Sequence, residues 1–360
     1  MTEDSGSPSL PSGISQREIA EEIGISVSTV SRVLTGHERV SKRTIEDVRR
    51  AICAIEVRRN GSALPVVADH LIGLTTSHIS AKFGSSQLDQ IAGQVLGGAE
   101  AAASRLGYRI YTTRDSGLLL NEEHRGFLES LSGLVLAGGM ISDDVINSAK
   151  AATIPICIVG GHIPGSGIPS VASDFHFGMF LATQHLIEQG HVRIALVNAP
   201  EQTYTTHEKR AGYLRALSEA DLPIDPALIH GHPDFGTFDN MVGLQTMTQL
   251  FTLPNPPTGI VFATDDLAIG GITLLQRRGI RVPHDVSIVG FQDDPVAMAT
   301  SPQLTSVSVD RIGWGERAVE RIVSMSNGHA MEGDRLLLPV ELIVRESTGP
   351  ANTGAKPKVS

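Results

Sequence analysis

Cysteine is nearly absent. Only Cys53 and Cys157 occur in 360 residues, far apart and without metal-ligand spacing, which argues against a disulfide framework or a zinc site. A reducing, cytoplasmic setting fits this usage. Long hydrophobic runs are missing too: no stretch approaches the roughly 20 apolar residues of a membrane span. The opening MTEDSGSPSLPSG is acidic and polar where an export signal needs an apolar segment, so neither secretion nor membrane insertion is expected. The thirteen histidines, including HGH at 230–232, form no second ligand cluster, and no metal site is expected. LAGGM and VGGH lack the G-x-G-x-x-G spacing of a dinucleotide loop. No nucleophile, base and orienting group stand together, so neither a cofactor nor an enzymatic reaction is indicated.

What is present is the composition of an ordinary soluble globular protein, 41% apolar and 19% charged. At this length a single core seldom suffices, and two or three compact units are expected. The net charge of −10 would ordinarily count against nucleic acid, but its distribution matters more than its sum. Residues 14–60 hold nine Arg and Lys against seven Asp and Glu, so a mildly basic head sits on an acidic body.

The head reads as three short helices. Ser15 followed by Glu18 is a capping-box signal, Ile19, Ala20 and Ile23 supply one apolar face, and Gly24 supplies a left-handed stop. Ser26 can cap a second helix directly, with Val30 and Val33 or Leu34 pointing inward. Val27, Ser28, Ser31 and Arg32 then share the opposite face. Ser41 opens a third helix with Ile45, Val48 and Ile52 on its buried side. Helix, tight glycine turn, helix is the pattern whose second helix enters a DNA major groove. Short hydroxyl-bearing residues let such a helix approach base edges, and Arg32 can take guanine O6 and N7 bidentately. A small solvated helical hairpin is the competing reading of the same residues.

From His70 the grammar changes to alternating strand and helix. HLIGLTT, YRIYTT, GLVLAGG and PICIVGG form one series of strands, with LDQIAGQVLGGAEAAASRLG as a long small-residue helix after the first. PSVASD, VRIALVNAP, TGIVFATDD and DVSIVGFQDD form a second. The fold class expected is α/β: two doubly wound lobes with parallel sheets covered by helices on both faces, behind an all-α head. Ligands bind such sheets outside the carboxyl ends of the strands, where Thr75, Asp174, Thr264, Asp265 and Gln292 fall.

Several motifs in one order go beyond a fold class. IAEEIGISVSTVSRVLTG and VSKRT in the head are joined in the body by Asp174, Ala182, HLIEQGHVRIAL, the Asp265, Ala268 and Gly270 set in TDDLAIG, GIRVPHDVSIVGF and PQLTSV. On these residues, from about Ile14 to Ser347, the chain resembles the LacI/GalR (lactose- and galactose-repressor) family of bacterial transcription regulators. The resemblance implies a homodimer whose two heads read a palindromic double-stranded DNA operator, and a body like a periplasmic sugar-binding protein that holds a small-molecule effector between its lobes. It places Val27, Ser28 and Arg32 at the chief base-reading positions. Ser26, Thr29, Ser31, Arg39 and Ser41 become supporting and phosphate contacts. The implied division is a disordered start at 1–13, a head at 14–58, a hinge at 59–69, a body at 70–347 and a polar, disordered tail at 348–360.

The sequence also departs from that family. The stretch matching its hinge helix is RRNGSALPVV, with Arg59 where a proline usually stands; Gly61 and Pro65 weaken a helix by about 1 and 3 kcal/mol. Leu64 is the candidate minor-groove wedge, and a flexible linker without groove contact is the alternative. Phe83 and Phe238 fall where the family places pocket walls. Gln292 stands where an effector-binding Asp is common, Thr264 replaces a frequent Asn, and the pair Lys209 and Arg210 replaces a single Arg. A Gln offers one acceptor and one donor group where a carboxylate accepts from two hydroxyls, which weakens the match to a neutral sugar. The paired cations favour an acidic or phosphorylated effector, the alternative being that one of the pair, on a helix start, only faces water. Asp265 reads equally as a helix cap or a ligand contact, and Asp174 as a pocket or strand-end residue. The small residues from Gly97 to Ser104 serve either a dimer interface or packing within a lobe. Two further readings stand behind the leading one: a DNA-binding protein without a working switch, and an enzyme or solute-binding protein that uses the body and leaves the head unexplained.

Overall fold

The computed structural model describes residues 14–35, 40–41, 44–45, 47–48, 51–52, 55, 70–76, 86–113, 117–121, 124–138, 141–198, 203–231 and 240–352. The proposed hinge at 59–69, with Leu64, lies outside them, as do Arg39, Phe83 and Phe238.

In the head, α1 (Gln16–Ile23) and α2 (Val27–Leu34) meet at a turn on Gly24, whose φ of +66° is one a side chain would disfavour. The capping box is present: Ser15 Oγ accepts from the Glu18 amide at 3.2 Å and the Glu18 carboxylate accepts from the Ser15 amide at 2.9 Å. Ser26 begins α2 two residues after the glycine by accepting from the Thr29 amide. Ile19, Val30, Val33, Val48 and Ile52 close a small core. Ser41 caps the third helical stretch through the Thr44 amide.

The body holds two six-stranded sheets. The first comprises β1 (Leu71–Thr75), β2 (Arg109–Thr113), β3 (Gly133–Ala137), β4 (Ile156–Val159), β5 (Ser170–Ser173) and β11 (Arg335–Leu338), in the order β11-β5-β4-β3-β1-β2 with every pairing parallel. The second comprises β6 (Ile194–Val197), β7 (Ile229–His230), β8 (Gly259–Phe262), β9 (Ser287–Gln292), β10 (Thr305–Val309) and β12 (Val340–Ile343), ordered β12-β10-β9-β8-β6-β7; only the β10–β12 pair is antiparallel. The inner strands β3, β4 and β8 are buried and apolar on both faces because helices cover both. Along β3, Val135 and Ala137 belong to the core closed by the long helix α3 (Ser86–Leu106) and by the helix at Arg311–Ser326, while Leu134 and Leu136 pack with residues of α5 (Arg125–Ser130) and α6 (Asp143–Ala151), α4 (Gly117–Leu120) preceding them. In the second sheet Val261 and Val289 face α7 (Phe175–Glu188) and α8 (Tyr204–Glu219). Ile260 and Ile288 face α9 (Asn240–Leu250) and α10 (Asp265–Arg277).

The chain crosses between lobes three times. It passes from β5 into α7, from β10, with α11 (Val296–Ala299) before it, into α12 (Arg311–Ser326), and from β11 into β12 across Pro339. The cores join at the crossovers, where Phe175 contacts both Phe291 and Trp314 with ring centroids 6.1 Å apart.

Packing bears on two expectations. The small residues of α3 divide by face: Gly98, Ala99, Ala102 and Ala103 are buried within the lobe, whereas Gly97, Ala101 and Ser104 are exposed. The tail is not disordered from 348 as expected, because residues 348–352 are tied to the second lobe. Thr348 Oγ1 bonds His185 Nε2 at 2.9 Å, the Gly349 amide donates to Ser287 Oγ, the Gly349 carbonyl accepts from His191 Nε2, and the Ala351 amide donates to the Gln189 carbonyl. Burial lowers the pKa of both histidines, which keeps them neutral partners. A polar, glycine-rich sequence is ordered here by hydrogen bonds rather than by apolar burial.

Helices α3 and α12 approach so closely that a Cβ on Gly98 would overlap the Ile312 carbonyl, and one on Gly315 the Val95 carbonyl. Backbone cannot swing aside as a side chain can. Gly98→Ala should therefore cost about 1–3 kcal/mol, read as a lowered denaturant midpoint of the full chain. An unchanged midpoint would mean that the helices separate freely.

Candidate DNA-reading helix and interlobe site

The exposed face of α2 is the one the sequence assigns to DNA. Val30 and Val33 are buried, whereas Val27 is 44% exposed beside exposed Ser28 and Arg32; Thr29 and Ser31 are half-buried. Ser26 Oγ lies 2.8 Å from both Ser28 Oγ and Thr29 Oγ1, so a hydroxyl cluster marks the start of the helix. The helix amino end is electropositive, and these hydroxyls and free amides suit a phosphate. Ser41, also exposed, caps the third stretch. An apolar residue at 44% exposure next to an Arg and a run of hydroxyls fits groove contact better than a solvated hairpin.

In the body, four predicted residues converge at the carboxyl ends of β8 and β9. Lys209 on α8 is buried; its Nζ donates to the Ala263 carbonyl at 2.7 Å and lies 4.1 Å over the Phe291 ring. Burial, with Arg311 nearby, lowers its pKa to about 7. Arg210, its sequence neighbour, is exposed, so the paired cations part ways. Thr264 proves to be the cap of α10, accepting from the Leu267 amide at 3.3 Å.

Asp265 is therefore not the cap. It is fully buried, with Oδ1 accepting from Ser306 Oγ at 2.6 Å and Oδ2 from the Asp294 amide at 2.8 Å. Burial raises its pKa to about 7 against the pull of those two bonds. With both oxygens engaged, its carboxylate ties α10 to β10 and to the loop after β9. Gln292 ends β9 half-buried at φ +113°, followed by Asp293 at +54°. Such conformations cost on the order of 1–3 kcal/mol and need surrounding support. That support comes from the Asp293 amide donating to Ser306 Oγ and from an ion pair of Asp293 with Arg345 at 2.7 Å. Asp174, half-buried at the first crossover, caps α7 through the Phe177 amide.

Residues that sequence reasoning missed complete the region. Arg311, 3% exposed at the second crossover, reaches Asp294 from one lobe at 2.6 Å and Gln94 from the other at 3.0 Å. Trp314 Nε1 donates to Ser173 Oγ at 3.0 Å. Arg335 on β11 pairs across the cleft with Glu208 on α8 at 3.1 Å and lies 4.8 Å over Tyr204, whose ring meets His162 edge-on. No local motif marks them: VDRIGW and DRLLLP read as unremarkable turn-and-strand sequence.

A two-lobed, binding-protein-like body with a helix-turn-helix head defines a DNA-binding regulator. Residues 16–60 match the family described as bacterial regulatory proteins, lacI family, and residues 183–348 match the periplasmic binding protein-like domain. The HTH-type transcriptional regulator CelR of Thermobifida fusca is 31% identical over 337 residues, covering 91% of this chain and 96% of that protein. The repressor CytR of Escherichia coli strain K12 is 27% identical, covering 92% and 95%. Among solved structures, the CelR–cellobiose complex aligns with a TM-score of 0.65 at 27% identity, covering 93% of this chain and 99% of that one. The lac repressor dimer bound to operator and the anti-inducer ONPF aligns at 0.67 and 25%, with the same coverage. The chain belongs to the LacI family, and it is a transcriptional regulator that binds DNA through its head. No helix among the described residues is long and apolar enough to cross a membrane.

Asp265→Ala would leave the Ser306 hydroxyl and the Asp294 amide without their acceptor, each buried donor costing about 1–3 kcal/mol. The denaturant midpoint should fall markedly. A stability equal to the wild type would return Asp265 to the role of a ligand contact.

Proposed function

We propose that the protein is an effector-responsive repressor that binds a palindromic operator in the cytoplasm as a homodimer. The head at 14–58 reads DNA, a linker at 59–69 joins it to the body, and a sugar or related metabolite binds between the lobes without enzymatic turnover. The observation that carries this reading is the α2 face of exposed Val27, Ser28 and Arg32 opposite a buried valine face, on a head followed in the chain by a body of two sheets. Arg32 reads a base edge; Ser26, Thr29, Ser31, Arg39 and Ser41 fix the register on phosphates. Leu64 wedges into the minor groove. Phe83 and Phe238 wall the effector site, with Lys209, Thr264 and Gln292 at its floor. Asp174 and Asp265 hold its frame, and Arg210 lies outside it. The complexes of CelR with cellobiose and of the lac repressor with operator support the two binding functions by relationship.

Selection from a random duplex pool at low and physiological salt tests the DNA function, since phosphate contacts alone give salt-labile, sequence-blind affinity. A two-fold symmetric motif that survives the higher salt is expected; its absence counts against specific operator reading. Arg32→Ala should erase preference at one base pair in each half-site, about 1–3 kcal/mol per contact, and unchanged specificity would remove Arg32 from base reading. Gln292→Asp should alter effector affinity, an unchanged isotherm taking that residue out of the pocket.

A further inference from the structure

The chemical class of the effector is legible in Arg311. Its side chain is 2% exposed, and one edge of the guanidinium is fully used: Nη1 donates to Asp294 Oδ1 and to Gln94 Oε1. The other edge is not. Nε and Nη2 are buried and have no hydrogen-bond partner. Buried donors are rarely left unpaired, and two on one edge of a guanidinium call for an explanation. That edge carries two parallel N–H groups at the spacing of two oxygens of a carboxylate or phosphate.

A second observation concerns charge. Lys209 is buried close enough to Arg311 to be disfavoured by it, and the acceptor of its Nζ is a backbone carbonyl rather than a carboxylate. Asp265 lies near enough to Lys209 to offset part of this, but both its oxygens are engaged by Ser306 and the Asp294 amide, so Asp294 on Arg311 is the carboxylate in direct contact with either side chain among the described residues. A vicinal diol could accept from the Arg311 edge, but it would bring no charge to hold Lys209 protonated beside Arg311. An oxyanion answers both. Arg311 also touches both lobes, so a ligand on it bears directly on their relative position.

We infer that the effector carries an oxyanion, a carboxylate or a phosphate monoester, seated bidentately on the Nε–Nη2 edge of Arg311 with Lys209 beside it. This rests on the interlobe site proposed above. Sequence reasoning looked for an acidic effector from Lys209 and Arg210; Arg311, a hundred residues further on, takes the place of exposed Arg210 as the second cation.

The test is calorimetric titration of the full chain with matched sets of gluco-, galacto- and manno-configured sugars: the hexose, its uronate and its 6-phosphate. At least one anionic member should bind roughly tenfold or more tightly than its neutral counterpart, the scale of one charge-assisted contact. Arg311→Lys, which keeps the charge beside Asp294 but removes the fork, should lose that preference, while Arg210→Gln should keep it. Tighter binding of the neutral sugars would overturn the oxyanion and leave the interlobe site standing; binding of none of them would count against both. Anion binding unchanged in a folded Arg311→Lys protein would place the oxyanion elsewhere and overturn the assignment. Were Arg311→Lys to unfold, the wild-type comparison of anionic with neutral sugars still decides the class.

Discussion

The arrangement of the interlobe region depends on one buried carboxylate. Asp265 holds the Ser306 hydroxyl with one oxygen and the Asp294 amide with the other. Through them it joins the start of α10, the strand β10 and the loop after β9. The same loop presents the Asp294 carboxylate to Arg311, which opens α12 and reaches α3 through Gln94. A chain of polar contacts thus runs from the second lobe's strand ends into the first lobe's long helix. In a buried setting each link is worth keeping because losing one partner strands the other.

Around that chain the chemistry is unevenly satisfied. Thr264, Asp174 and Ser306 complete caps and turns, and Gln292 and Asp293 are held at positive φ by their neighbours. Arg311 is satisfied on one edge alone, and Lys209 sits over an aromatic ring with a carbonyl for its partner. Thr264, Asp174 and Ser306 find their partners within the chain, while Nε and Nη2 of Arg311 find no acceptor there. The same division holds in the head, where Ile19, Val30 and Val33 are enclosed but Val27 and Arg32 are left to solvent.

Much of this was legible in sequence because it is local. Ser15 with Glu18, Gly24 and Ser26 specify helix ends within a few residues, and valines and an isoleucine at helical spacing define the inner face of the head. The apolar runs that became β1, β3, β4, β8 and β9 could be read because strands covered on both faces need no polar alternation. Lys209, Thr264, Asp265 and Gln292 were placed by motif, but their contacts were not: Thr264 rather than Asp265 is the cap, Asp265 is a tie, and Arg210 turns to water. Local sequence shows that a residue ends a strand, not whether its side chain finds a partner from elsewhere.

The sequence by itself determined the helix-turn-helix head, the alternation of strand and helix and the faces that must be buried, since each follows from periodicity or a cap spanning a few residues. Tertiary structure alone decided the rest. RLLLPVELIV reads as one apolar run, but Pro339, which has no amide to donate, divides it between two sheets. The tail through Asn352 is ordered by His185, His191 and Ser287, more than sixty residues upstream. Arg311 meets Gln94 across a separation of 217 residues, and Glu208 meets Arg335 across 127. Such pairings exist because three crossovers bring distant strand ends to one cleft, and no pattern within either partner's own segment encodes the other.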